Sequence, residues 1–470
     1  MNTFDKFLKK PESPGLEVKQ GRFEKFNLKE NPFLPESFVN KDSTDNRING
    51  SIFEAEIRKK EFKTIKDNFL KNPQGDPGHL RMGFIIDTSY VGRGNGKSAF
   101  LINLYREIDK EYCLDISNNV NKCFPVYLSP EPGGRTKTFS RFVDLLFNAI
   151  MESGVINNCL AIIRLKALMS IVPNLKPAEE FKDEDDLVQK MNSPGWLGEK
   201  RIDINKFNRE TSKNQFLGGL PREFPLFKAA GMLTEKLSTQ ESFKEYYVEL
   251  KKGQEKLEFM FSHMVHFFRA ADFNGAFVLV DDFERIPDFQ SARQKRDFAA
   301  ELRNCLYDGF FTNTKLGFYN FILVLHAGVT RLIQDAWSES GMENRVPLTS
   351  PQVTPGHIIP FEKLKPGHAV LLLKRYLREY RIDSQKGNEL SPFTEKAVNK
   401  IAEISELNAA KILKSAYYLL DRAADDDDIQ VIDEPFVEKM NERGMFDPNS
   451  KKGIASAETT DLEKKAKGEQ

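Results

Sequence analysis

Short apolar runs alternate along this chain with longer stretches whose apolar residues recur every three or four positions. The runs MGFII from Met82, CFPVYL from Cys123, AFVLV from Ala276 and FILVL from Phe321 read as buried strands. Helical spacing appears in Phe139, Phe142, Val143, Leu146, Phe147 and Ile150, and again in Leu257, Met260, Phe261, Met264, Val265 and Phe268. Further helices are expected over residues 52 to 70, 101 to 112 and 292 to 307. Strand, helix, strand, helix predicts parallel α/β winding. After Pro360 the strands stop. Three amphipathic helices follow: Ala369 to Tyr380, one capped by Ser391 with Pro392 in its first turn, and one from Asn408 to about Ala423.

This rhythm predicts a domain order. Residues 1–50 lack a sustained period and read as an extended arm, in which Asn31-Pro32-Phe33 offers an aromatic anchor to a neighbouring surface. An α/β core is expected over 51–154 and 252–358, and a helical lid over 359–440. Residues 155–251 break the rhythm with a charged run and a Gly/Pro-rich stretch around Trp196, so they read as an insertion. A charged tail without apolar anchors is expected over 441–470.

Two stretches carry chemistry. After the first strand comes VGRGNGKS, where Gly92, Gly94 and Gly96 let backbone N–H groups turn toward phosphate oxygens. The helix that starts near Lys97 points its positive dipole end at the same place. Asn95 and Ala99 complete the cradle, Lys97 would reach the β- and γ-phosphates, and Ser98 would ligate Mg²⁺. Val91 stands where the usual pattern has its first glycine. The second stretch, FVLVDDFE, ends a strand in two acids. Placed on a strand next to the first, Asp281 would reach the Mg²⁺ shell, while Asp282 or Glu284 would polarise an attacking water.

Other candidates are placed by order along the chain. His326 ends the FILVL strand, where a group could touch the γ-phosphate, and Thr330 lies behind it. Arg345 sits in a polar turn from which it could enter a neighbouring subunit's nucleotide site. His263 and His266 lie three apart on one helix, near enough for a single metal, with no third ligand in view.

Composition narrows the classes. Lys plus Arg and Asp plus Glu both total 69 in 470 residues, so no global charge announces nucleic acid or membrane. Four cysteines without C-x-x-C spacing argue against a zinc ribbon or a disulfide framework. No apolar stretch reaches membrane-spanning length, which favours a cytoplasmic, reducing setting.

Taken together, VGRGNGKS, FVLVDDFE, LVLHAG, NRVPLTSP and PFTEKAVNKIAEISELNAAKIL resemble AAA+ ATPases of the origin-recognition (initiator) type. The order is also similar to prokaryotic relatives from transposition and phage-exclusion systems. The resemblance implies a P-loop fold with a helical lid, ATP and Mg²⁺ as cofactors, and a homo-oligomer. It further implies DNA or a DNA-processing or defence complex as partner. Lid helices of that family carry Gly-Asn-Pro-Arg; here the run is Leu407-Asn408-Ala409-Ala410-Lys411, leaving Lys411 as the nearby cation. The expected function is a nucleotide-driven switch. A nucleotide-binding scaffold or signalling ATPase with little hydrolysis, recruiting a protein partner, is the alternative.

Overall fold

Strand β1 (Met82–Asp87) is buried along its whole length and lies inside a sheet rather than at its edge. The computed structural model describes residues 21–36, 38–70, 80–88, 94–112, 122–231, 236–326, 330–348, 356–383 and 388–444. Within them β2 (Lys122–Leu128), β3 (Phe273–Val280), β4 (Tyr319–Leu325) and β5 (Ile358–Phe361) join β1 in one sheet of order β2-β3-β4-β1-β5. Every pairing is parallel. The expected α/β class is therefore observed.

Alternate strand residues divide the core. Phe84, Val126, Val278 and Phe321 join one large apolar cluster, while Ile85, Phe277, Ile322 and Val324 are buried on the other face. Helices cover both faces, as parallel sheets require. On one side Phe100 of α2 (Lys97–Glu107) meets Phe62 of α1 (Lys59–Ile65) and Phe361 of β5. On the other, Phe142 of α3 (Phe139–Glu152) meets Phe321, while Trp337 of the later helix Thr330–Glu339 packs on Phe84.

Strand β5 is absent from the sequence reading. Pro360 interrupts its pattern, and a proline is tolerated there because β5 is an edge strand among the described residues. A second difference concerns β3, which does not neighbour β1: β4 lies between them.

The chain divides into two units by its contacts. One holds residues 58–90 and 97–362, the other residues 1–57, 91–96 and 363–470. The expected insertion belongs to the sheet-containing unit. Its first helix, α4 (Val155–Ile171), contributes to the large cluster and also to a satellite core with Phe181, Met191, Leu197 and Phe207. Trp196 packs against Phe181 at the rim of that small core. Among the described residues no single helix is long and apolar enough to cross a membrane. Only α3 and α4 together, bent by 60°, reach the length, and both supply residues to the large cluster.

In the second unit α5 (Pro366–Glu379), α6 (Glu395–Ile404) and α7 (Ala409–Ala424) share an apolar core. The described part of the expected arm is built into this core rather than extended. Phe26, Leu28 and Phe33 are buried in it, and Phe33 stacks on Tyr376 at 5.9 Å. Asn31 fixes the Phe33 turn by accepting its N–H at 3.1 Å and by donating to the Tyr417 carbonyl at 3.2 Å. The cap of α6 is Thr394, not Ser391: its hydroxyl accepts from the Ala397 N–H, and Pro392 precedes the helix.

Candidate functional site

The connection from β1 runs past β4 and β3 to β2, whereas that from β4 passes β1 to β5. Chain segments thus leave the adjacent strands β1 and β4 in opposite directions, and the crevice at their carboxyl ends is where open α/β sheets place ligands. β1 ends in Asp87, β4 is followed by His326, and β3 by Asp281 and Asp282. Helix α2 begins at Lys97 and brings its first turn to the same edge.

Lys97 is buried and places its Nζ 2.6 Å from Asp87 Oδ2, with Asp87 also buried. The same ammonium lies 3.2 Å from His326 Nδ1. An ammonium only donates, so Nδ1 accepts and the neutral ring carries its proton on Nε2. That nitrogen lies 3.1 Å from Glu284 Oε1 and 3.9 Å from Asp282 Oδ1. The approach to Glu284 is a close contact but is not aligned as a hydrogen bond. Neither carboxylate oxygen of Glu284 has a hydrogen-bond partner, although the residue is only 3% exposed. Burial, with the Asp282 charge adding to it, pushes the Glu284 carboxyl up to about 7.

Asp281 is buried too and differs in being well supplied with donors. Tyr127 donates its phenol to Oδ2 at 2.9 Å, the Asp282 N–H reaches Oδ1 at 3.0 Å, and the Ser98 side chain is near enough to lower its pKa. Burial still raises its pKa, because no cation pairs with it. Asp282 turns the chain through left-handed backbone, φ 46° and ψ 42°, before the short turn Phe283–Arg285. Arg285 pairs with Asp282 and anchors itself on the Pro130 carbonyl at 3.1 Å. The expectation that Asp281 reaches the site from a strand beside β1 is corrected by β4, whose tip supplies His326 at the position between them.

Of the expected residues, Lys97, Ser98, Asp281, Asp282, Glu284 and His326 thus gather at one edge of the sheet. Ala99 follows in the first turn of α2. Gly94 and Gly96 take φ +98° and +86°. Crowding is not the reason at Gly96, where a Cβ would meet nothing within 4 Å. At Gly94 a Cβ would stand 2.6 Å from that of Ala410, and the Gly94 carbonyl accepts the Ala410 N–H at 2.9 Å. Asn95 is buried, whereas Val91 and Gly92 lie outside the described residues.

Arg345 lies apart from the cluster within the sheet-containing unit, and Lys411 belongs to the other unit. Arg345 is exposed, and its charge bears on the buried Tyr307. Lys411 pairs at the surface with Glu406 at 2.6 Å. His263 and His266 form no metal group either: among the described residues, the one His/Cys/Asp/Glu group close enough to share an ion is Asp282, Glu284 and His326.

Sequence reasoning missed Asp87 and Tyr127. Asp87 carried a usable signal, a carboxylate closing an otherwise apolar strand as Asp281 does after β3. Fold and site together define a parallel α/β protein with a buried acid, lysine and histidine cluster at the carboxyl edge of its sheet. No family model matches the chain, and no curated protein or solved structure matches it either.

Proposed function

We propose that this chain is a Mg-ATP-dependent P-loop ATPase of the AAA+ class, working as a nucleotide-driven switch on DNA or on a DNA-processing or defence complex. One observation carries the reading: Lys97, Ser98, Asp281, Glu284 and His326, far apart in sequence, converge where α2 begins. The donors fit a metal-bound triphosphate. Asp281 and Glu284 are buried acids with no cation paired to them, and the Ser98 hydroxyl and Asp281 carboxylate are hard oxygen ligands suited to Mg²⁺. Gly94 and Gly96 hold backbone that other residues rarely adopt, just before a helix N-terminus suited to anions.

Bound Mg-ATP would supply a phosphoanhydride whose cleavage resets the switch. Lys97 and the amides of 97–99 would hold its phosphates, and Ser98 with Asp281 its metal. Glu284, half protonated near neutral pH, is the proton acceptor for an attacking water, with His326 beside it. Asp282 is a positioning residue, since Arg285 already engages it. Exposed Arg345 is available to a neighbouring subunit's site.

The buried Lys97–Asp87 pair favours a second reading, a nucleotide-binding scaffold with little turnover. Two of the three Lys97 donors already serve Asp87 and His326, so full engagement of phosphate competes with that pair. Calorimetric ATP titration followed by single-turnover hydrolysis, each with wild type and Lys97→Ala, separates the outcomes. Binding with Lys97-dependent hydrolysis supports the ATPase, binding alone supports the scaffold, and absence of binding removes both. Filter binding of duplex DNA across salt concentrations, with and without ATP, tests the DNA role. No ATP dependence and no salt slope would eliminate it.

A further inference from the structure

Asp282, Glu284 and His326 each offer one ligand atom, and these atoms all lie within 4.8 Å of one another. We propose that the three residues form a binding site for one divalent transition-metal ion of the zinc type, separate from the Ser98 and Asp281 ligands assigned to Mg²⁺. The inference rests on the ATPase reading only for the role given to Lys97; with the ion bound Glu284 is a ligand, so its role as proton acceptor belongs to the ion-free state.

The donor set selects the ion. Two carboxylates with one imidazole suit zinc or manganese, whereas magnesium and calcium prefer oxygen alone. At metal–ligand bonds of about 2.0 Å, tetrahedral ligand atoms stand about 3.3 Å apart. His326 Nε2 and Glu284 Oε1 already lie at 3.1 Å, and Asp282 Oδ1, 3.9 Å from Nε2, needs only a small side-chain rotation.

A second observation points to a missing ligand. The Glu284 side chain is 4% exposed, both of its oxygens lack a hydrogen-bond partner, and it faces this cluster. A buried carboxylate without donors costs stability unless something positive reaches it. Nearby cations are already engaged, Lys97 by Asp87 and Arg285 by Asp282. Asp282 and His326 retain about a fifth of their side-chain surface, which leaves a way in from solvent. Arg285 grips the other Asp282 oxygen and orients the carboxylate, as outer partners of metal ligands do.

The ring proton sets the coupling. A metal on Nε2 requires the His326 proton to move to Nδ1, where the Lys97 ammonium now donates. Metal loading therefore opposes the Lys97–His326 contact. Whatever draws Lys97 away, an anionic phosphate included, strengthens metal binding at the other side of the ring.

The test uses the full-length, nucleotide-free protein stripped with a chelator and titrated with Zn²⁺ by calorimetry, with Co²⁺ as a spectroscopic probe. The expected result is one equivalent bound, with affinity at least about 100-fold weaker in His326→Asn and Glu284→Gln, since loss of an outer partner alone costs 10–100-fold. Lys97→Met should bind Zn²⁺ more tightly while losing ATP, so a failed metal site and a failed nucleotide site give different results. The Co²⁺ spectrum of the wild type should show nitrogen and oxygen donors without thiolate bands, which decides the question even where a variant fails to fold. No Zn²⁺ uptake by wild type, unchanged uptake in both folded ligand variants, or thiolate bands would overturn the proposal.

Discussion

Each unit of the molecule buries a charged side chain, and the two are treated differently. In the helical unit Arg381 is 8% exposed and spends its guanidinium on backbone. It donates to the Phe26 carbonyl at 2.8 Å, to those of Asn388 and Glu389, and to Ser391. In the sheet unit Glu284 is buried further, yet its oxygens receive no hydrogen bond. Burial alone does not mark function. Arg381 fastens the segment around Phe26 to the helices, and its donors are matched by backbone carbonyls. Glu284 leaves a desolvation cost unmet, the signature of a position completed by something from outside the chain.

The contrast breaks most sharply at Glu284. Glu284→Gln should lower single-turnover ATP hydrolysis about 10²–10⁴-fold while keeping ATP binding. It should also raise the melting temperature at pH 8, where the wild type holds an unpaired buried charge. A lower melting temperature would mean that the acid is structural after all. Lys97→Met sits between the extremes, because it strands Asp87 without its partner. We expect a loss of about 3 kcal/mol in chemical denaturation, recovered in large part by adding Asp87→Asn. Additive losses would show that the two groups do not depend on each other.

Arg381→Ala should destabilise the protein by about 3 kcal/mol, since several carbonyls lose a charged donor at once. Limited proteolysis should then find new cleavage near residues 21–33; an unchanged digestion pattern would refute the fastening role. The smallest effect is expected at His357, whose Nδ1 lies 2.8 Å from the Met82 carbonyl. Burial holds its pKa below the usual histidine range. As pH falls through about 6.5, unfolded chains take up a proton that the folded chain resists, so this contribution is present above that pH and lost below it. His357→Asn should flatten the pH dependence of stability between pH 7.5 and 5.5, and an unaltered slope would assign it to other groups.

Four of the five strands were legible because they are buried on both faces and stand out as unbroken apolar runs. The fifth was hidden because it is only four residues long, with Pro360 among them. Lys97, Ser98 and Asp281 were legible because phosphate and metal chemistry needs those residue types at fixed places relative to a strand end. Asp87 escaped because it reads as the last residue of a strand, and its pairing with Lys97 depends on how β1 and α2 fold back together. Strand order is likewise non-local: nothing in AFVLV shows that β4 will separate β3 from β1. Arg345 and Lys411 are a different case. An arginine in a polar turn and a lysine at a helix start are chosen by order alone, and both remain at the surface.

The bond between the Gly94 carbonyl and the Ala410 amide has one more consequence. A glycine loop that lends an oxygen to the opening turn of a helix cannot be reshaped in private. Whatever guest rearranges it must either spare that bond or unfasten the helix start, so the exchange rate of a single amide proton, that of Ala410, becomes a gauge of what the loop is holding.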